Sequence, residues 1–219
     1  MVKKILKFGG TSVGSIKKIK RIAEIITTYK KKNYKVIVIS SAMSGVTNEL
    51  VNKSKLISNN FDRAEYDALV STGEQVSCAL IAGRLKHNGF KSRSWTSWQL
   101  PILTDGPHSS ARISSVGIKE LNKYIKSGGI PIITGFQGIS YDFRITTIGR
   151  SGSDATAIML AKFIKADECI IYTDVDGVYT TDPRQYNKAK KIKKIFYDEM
   201  LEMASLGSKV MQPTSVQDA

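Results

Sequence analysis

Short apolar runs alternate with stretches of helical spacing along the whole chain, with polar or glycine-rich turns between them. Val2 to Phe8 reads as a strand, and Ile16, Ile19, Ile22, Ala23, Ile26 and Tyr29 then fall on one face of a helix. Val36 to Ile39 is an unbroken β-branched run, as a strand covered on both faces requires. From Asn48 to Asn88 the pattern is helical, broken at Ser58 to Asn60, restarted near Asp62 and interrupted again by Ser71 to Gln75. Phe90 to Trp98 reads as a strand with its exit turn, whereas 101–115 reads as a polar loop. Gly117 to Lys126 is a short helix stopped by Gly128 and Gly129, and Ile130 to Thr134 is another buried strand. Ile139 to Ile148 suits a small hairpin, 155–165 a helix, Glu168 to Thr173 a strand and Tyr197 to Leu206 an amphipathic helix. Strands alternating with helices in this way predict one α/β domain built on a mainly parallel sheet.

Several of these strands end in clusters of glycine, serine and threonine. In an open α/β sheet the carboxyl ends of the strands face the ligand crevice, so these loops are expected to line one site. The richest cluster, Thr146 to Ala157, runs directly into the apolar stretch Ile158 to Ala161, which is a loop feeding a helix start. Such a start presents unpaired N–H groups and a partial positive charge, and Arg150 adds a planar fork suited to carboxylate or phosphate. An ordinary helix capped by Ser153 or Asp154 is the competing reading. Neither GxxxxGK[ST] nor GxGxxG occurs, so phosphate handling here lies outside the P-loop and dinucleotide families.

Composition narrows the partners. Of 219 residues 42% are hydrophobic, with no run long enough to span a bilayer and no signal-peptide block, so a cytoplasmic protein without a membrane partner is expected. The formal charge of +14 invites a nucleic-acid reading. The lysines are scattered, however, and no recognition helix, zinc pattern or aromatic RNA motif accompanies them, so no nucleic-acid partner is expected. Cys78 and Cys169 lie far apart and form no CxxC pair, which argues against a disulfide or zinc site.

Individual residues carry chemistry. Lys7 stands on the first strand immediately before Gly9 and Gly10; its ammonium either reaches water or meets an anion at the strand end. Glu74 is the carboxylate of a hydroxyl-and-glycine loop at a helix start, where a dipole or capping role is the ordinary alternative. Asp174, Asp176 and Asp182 lack the rest of a calcium-loop pattern, and turn formation accounts for Asp176-Gly177 and Asp182-Pro183. Tyr179 and Arg184 in the same loop suit base packing and phosphate pairing.

Lys7-Phe8-Gly9-Gly10-Thr11-Ser12, Ser41 to Thr47, Thr72-Gly73-Glu74, Gly135 to Gly138, Thr147 to Asp154, Thr173 to Arg184 and Gly207-Ser208-Lys209-Val210 together resemble the signatures of aspartate kinases, in family order. The resemblance implies the amino-acid kinase fold, a three-layer αβα sandwich around a central mainly parallel sheet. It implies that Lys7 sits on the transferring phosphoryl group, aided by Gly9, Gly10 and Ser12. Ser41, Thr47, Glu74, Phe136, Arg150, Ser153 and Asp154 would hold L-aspartate, with Asp154 orienting lysine and substrate. Thr173, Asp174, Tyr179, Arg184 and Lys209 would hold ATP, whose phosphates Mg²⁺ bridges, and no metal-ligating residue of the protein is assigned. The implied product is 4-phospho-L-aspartate, the first step towards lysine, threonine and methionine.

Two departures from that family stand out. Ser151 occupies a position where many relatives have glycine, a change expected to be harmless. The chain also stops at Ala219, where aspartate kinases usually continue, so residues 1–219 are expected to be a catalytic domain with the ACT regulatory domains absent. A homo-oligomer is a possible assembly. The competing functions are a different amino-acid kinase, distinguished by Glu74 because an N-acetylated acceptor has no ammonium, and a catalytically weak nucleotide-binding module acting as a partner or basic scaffold.

Overall fold

The computed structural model describes residues 1–149, 151–183, 185–206, 211 and 213–217. In chain order the elements are β1 (Lys3–Phe8), α1 (Ile16–Lys31), β2 (Lys35–Ser40), α2 (Val46–Ile57), α3 (Arg63–Val70), α4 (Thr72–His87), β3 (Ser92–Trp95), β4 (Ile102–Asp105) and β5 (Arg112–Val116). There follow α5 (Lys119–Lys126), β6 (Ile130–Thr134), β7 (Gln137–Ile139), β8 (Ile145–Thr147), α6 (Gly152–Ile164), β9 (Glu168–Tyr172), α7 (Tyr197–Ser205) and α8 (Pro213–Gln217).

Five strands form a wholly parallel sheet in the order β3-β6-β2-β1-β9. Period-two alternation divides its side chains between two cores. Leu6, Phe8, Val36, Val38, Ile130 and Ile132 pack on one face with Ile19, Ile22, Ala23 and Ile26 of α1 and Cys78, Ile81 and Leu85 of α4. Ile5, Ile37, Ile39 and Ile133 pack on the other with Leu121 and Ile125 of α5 and Ala157, Leu160 and Ile164 of α6. This is the expected three-layer αβα arrangement. Lys7 shares the parity of Ile5, so its side chain leaves the sheet on the face covered by α6.

A second sheet has the order β5-β4-β7-β8. The hairpin expected near 139–148 is β7–β8, paired antiparallel from Gln137↔Thr147 to Ile139↔Ile145. The polar loop expected at 101–115 is instead a second antiparallel pair, β4–β5, with a register shift between Leu103 and Thr104. That shift is why the region lacks strict alternation: an irregular ladder changes the face on which successive side chains emerge. At Gly138 a Cβ would lie 2.2 Å from the Thr104 methyl, so this sheet closes only over a glycine.

Cys78 and Cys169 are free thiols, Cys78 fully buried. Among the described residues no helix is long and apolar enough to cross a membrane.

Ile37 is fully buried on the middle strand, whereas Leu56 at the end of α2 is 86% exposed. Ile37→Ala is expected to lower the unfolding free energy by about 2–5 kcal/mol and Leu56→Ala by no more than about 0.5 kcal/mol, read from urea melts of the two variants.

Candidate active site

The carboxyl ends of β1, β2 and β6 open on one cavity of about 360 Å³. Its wall includes Lys7 and Gly10 after β1, Ser41 to Gly45 after β2, Thr47 on α2, Glu74 on α4, Phe136 after β6, and Gly149 and Ser151 to Asp154 entering α6. The parallel register forces this convergence, because every strand of the sheet delivers its exit loop to the same edge.

Lys7 is 7% exposed and Asp154 9%; Lys7 Nζ lies 2.7 Å from Asp154 Oδ1. The lysine therefore meets an anion inside the protein and does not snorkel to water. The approach is an ion-pair contact without hydrogen-bond alignment, and Oδ1 has no hydrogen-bond partner among the described residues. The ammonium is thus fixed in place with donors left for a second anion.

Two helices begin in the wall. Gly45, in the left-handed region at φ 86°, precedes α2, and Thr47 stands in its first turn. Ser151 precedes α6, also left-handed at φ 55° and with no side-chain cap bond. The cap expected at Ser153 or Asp154 lies earlier than either: both occupy the first turn, where their side chains line the cavity and not their own helix end. Serine at a left-handed position costs about 1 kcal/mol relative to glycine, so the departure at Ser151 is a strained one. The unpaired N–H groups of both first turns make this wall attractive to anions.

Glu74 lines the same cavity. It is 3% exposed, and its Oε1 accepts from the Ala42 backbone N–H at 3.1 Å, while Oε2 has no partner among the described residues. The carboxylate reaches across to the β2 loop. Burial pushes its pKa up from 4.5 to about 7, the Ala42 N–H offsetting part of that rise.

Ser41 is tied to the sheet, its N–H donating to Phe8 O at 3.1 Å and its carbonyl accepting from Ser77 Oγ at 2.7 Å. Phe136 lines the cavity from a left-handed conformation, φ 69°, with its N–H on Thr156 Oγ1 at 3.2 Å. Ser153 crosses Gly135 so closely that a Cβ there would lie 2.6 Å from its Oγ, so that strand exit has to be glycine.

The residues assigned to nucleotide lie beside this cavity. The Gly9 N–H donates to Tyr172 O at 3.2 Å, which sets the glycine turn against the end of β9. Ser12 Oγ stands 3.5 Å from the same carbonyl. Thr173 and Asp174 are exposed just beyond, joined by a hydrogen bond of 3.0 Å. Tyr179 donates to Asp176 at 2.7 Å, and Lys191 Nζ donates to the same carboxylate at 3.1 Å, which together hold the Asp176 carboxyl below its usual range. Gly9, Ser12, Thr173, Asp174 and Tyr179 are not in the cavity wall. Arg150, Arg184 and Lys209 lie outside the described residues, as does the turn expected at 207–210.

Sequence reasoning missed two contributors. The Ala42 N–H is a backbone group, which no side-chain pattern reveals. Asp67 is fully buried on α3; its signal was a carboxylate on the same helix face as Val70.

Comparison with known proteins gives a consistent picture. The chain is 49% identical over 215 residues to an aspartokinase of Geobacillus stearothermophilus, covering 98% of this chain and 53% of that protein. It superposes on the crystal structure of aspartate kinase from Synechocystis with a TM-score of 0.88 and 38% identity, covering 100% of this chain and 36% of the other. On E. coli aspartokinase III in complex with aspartate and ADP the TM-score is 0.87 at 28% identity, covering 100% of this chain and 59% of the other. The chain spans about half the length of the curated relatives it matches. The model of the amino acid kinase family matches residues 3–217; with the sheet, the convergent glycine loops and the buried lysine all in accord, the chain belongs to the amino acid kinase family.

Proposed function

We propose that this domain transfers the γ-phosphoryl group of ATP to the side-chain carboxylate of L-aspartate, giving 4-phospho-L-aspartate and ADP, a cytoplasmic step towards lysine, threonine and methionine. The observation that carries the reading is the polarity of the cavity. Two helix starts in its lining favour anions, and an unpartnered, buried carboxylate oxygen of Glu74 suits a cation. A zwitterion with a second carboxylate satisfies both demands. An N-acetylated acid leaves Glu74 unpaired, which disfavours it. The 49% identity to an aspartokinase and the likeness to aspartokinase III in complex with aspartate and ADP support the same assignment.

The acceptor carboxylate is ionised at neutral pH and needs no general base. One of its oxygens forms a bond to the γ-phosphorus while the bond from that phosphorus to the β,γ-bridging oxygen breaks, and ADP leaves with the electron pair. Catalysis then consists of positioning and of quenching negative charge. Lys7, with Gly9, Gly10 and Ser12 around it, supplies the cation; Asp154 holds Lys7 in register. Ser41, Thr47, Phe136, Ser153 and Arg150 hold the amino acid with Glu74. Thr173, Asp174, Tyr179, Arg184 and Lys209 are assigned to the nucleotide, whose negative charge Mg²⁺ would partly neutralise.

In a coupled ADP-release assay, turnover is expected with L-aspartate and not with N-acetylglutamate, glutamate or UMP; turnover with one of those and none with aspartate overturns the assignment. Lys7→Ala is expected to lower kcat by about 10²–10³-fold, and unchanged kcat rules out its assigned role.

Glu74 sets a pH dependence with a definite sign. In the free protein it protonates as pH falls through about 7, so the KM for aspartate is expected to rise below that pH, by about tenfold per unit. Because its folded pKa lies above the unfolded 4.5, its contribution to stability is complete below 4.5 and is lost as pH rises through about 7. Glu74→Gln is therefore expected to raise the unfolding free energy at about pH 8 by up to about 3 kcal/mol, while abolishing the pH dependence of KM and weakening aspartate binding. Denaturant melts and KM profiles of the two proteins, measured in parallel, check both halves.

A further inference from the structure

The most heavily engaged carboxylate of the described molecule lies outside the cavity. Asp67, fully buried on α3, accepts five hydrogen bonds. Its Oδ2 takes the Thr147 N–H at 3.0 Å, the Ser109 N–H at 2.9 Å and His108 Nδ1 at 2.9 Å, and its Oδ1 takes Thr147 Oγ1 at 2.6 Å and Ser109 Oγ at 3.1 Å. An isolated buried carboxylate is costly, and these donors are what offset that cost.

The partners matter because of what they are attached to. Thr147 is the last residue of β8, and the chain runs from it through Ile148 and Gly149 into the first turn of α6 with Ser153 and Asp154. On its other side that segment is held by the Ile148 N–H on Phe136 O at 2.9 Å. Ser109 belongs to the loop beneath it: the Ala111 N–H donates to Thr147 O at 3.0 Å, and a Cβ on Gly149 would stand 4.0 Å from Ser110 Cα. Ser109 has a left-handed backbone, φ 69°, and both its N–H and its hydroxyl end on Asp67, so the carboxylate holds the loop in a strained shape. Asp67 itself lies two helical turns before Glu74, on α3, which runs almost directly into α4 through Ser71. Ser71 is fastened in turn, its carbonyl accepting from Gln137 Nε2 at 2.9 Å.

We propose that Asp67 is a positioning residue for the amino-acid half of the site. It fixes the spacing between Glu74 and the part of the lining formed by Gly149 and Ser151 to Asp154, and so sets affinity for the acceptor while leaving the nucleotide side untouched. No partner of Asp67 belongs to the glycine turn after β1 or to the segment after β9, so the effect falls on one substrate. This inference rests on the reading that the cavity takes an α-amino acid with a side-chain carboxylate.

The test pairs kinetics with amide hydrogen exchange on the whole chain. Asp67→Asn keeps the shape but puts an NH₂ group among donors. Its KM for aspartate is expected to rise at least about tenfold while its KM for ATP stays within about twofold, and amides of 108–111, 146–149 and 151–154 are expected to exchange faster with β1 and β2 unchanged. Equal rises in both KM values, or neither KM nor exchange altered, overturns the proposal. If Asp67→Asn does not fold, Thr147→Val decides, since it removes one hydroxyl bond at nearly constant volume. An aspartate KM at least about threefold higher with an unchanged ATP KM then supports the proposal, and no change refutes it. Should the wild-type chain turn over no aspartate, the functional reading falls by itself. Exchange at 108–111, 146–149 and 151–154 in the variants then judges the tether, and unaltered exchange refutes it.

Discussion

A charged pair in the interior, Lys7 with Asp154 at 2.7 Å, is the constraint on which the arrangement turns. Taking two such ions out of water costs several kcal/mol each, and their attraction offsets this only when the geometry is held. What holds it is the packing of α6 on the sheet: Ala157, Leu160 and Ile164 seat the helix against Ile5, Ile37 and Ile39, which places its first turn over the end of β1. The apolar core thus sets the separation of the two charges. A slip of one residue in β1 would carry the lysine to the α1 and α4 side and leave Asp154 buried alone.

The cavity combines opposed electrostatic demands within a few residues. Helix starts at Val46 and Gly152 favour anions, while Glu74 stays buried with one oxygen unpaired and its pKa pushed up to about 7. Left-handed backbone at Phe136 and Ser151 adds local strain. The buried carboxylate and the left-handed backbone each lower the stability of the fold. The surrounding structure that tolerates them is the doubly covered parallel sheet.

Much of this was legible in the residues. Buried β-branched runs marked β1, β2 and β6, helical spacing marked α1 and α5, and clustered glycine and hydroxyl residues marked the loops that meet at the site. Lys7 was legible as a charge within an apolar run, and Glu74 as the carboxylate of a hydroxyl-and-glycine loop at a helix start. The β4–β5 ribbon was not, because its register shift breaks the alternation by which a strand is recognised. The start of α6 was placed too late, since Ser153 and Asp154 look like caps while the residue that turns the chain is Ser151, in a conformation that serine seldom adopts. Asp67 was passed over because its partners, Ser109 and Thr147, lie about forty and eighty positions away, and only the closed fold brings them to it.

The order of the main sheet carries a mechanical corollary. Strand β9 ends that order, pairs only with β1 among the described strands and is half-buried, whereas β1, β2 and β6 are nearly sealed on both faces. Stiffness is therefore graded across the crevice, firm at the ends of β1, β2 and β6 and compliant toward Thr173 and Tyr179. Local opening of the chain is therefore easier at that margin than beneath the buried pair of Lys7 and Asp154.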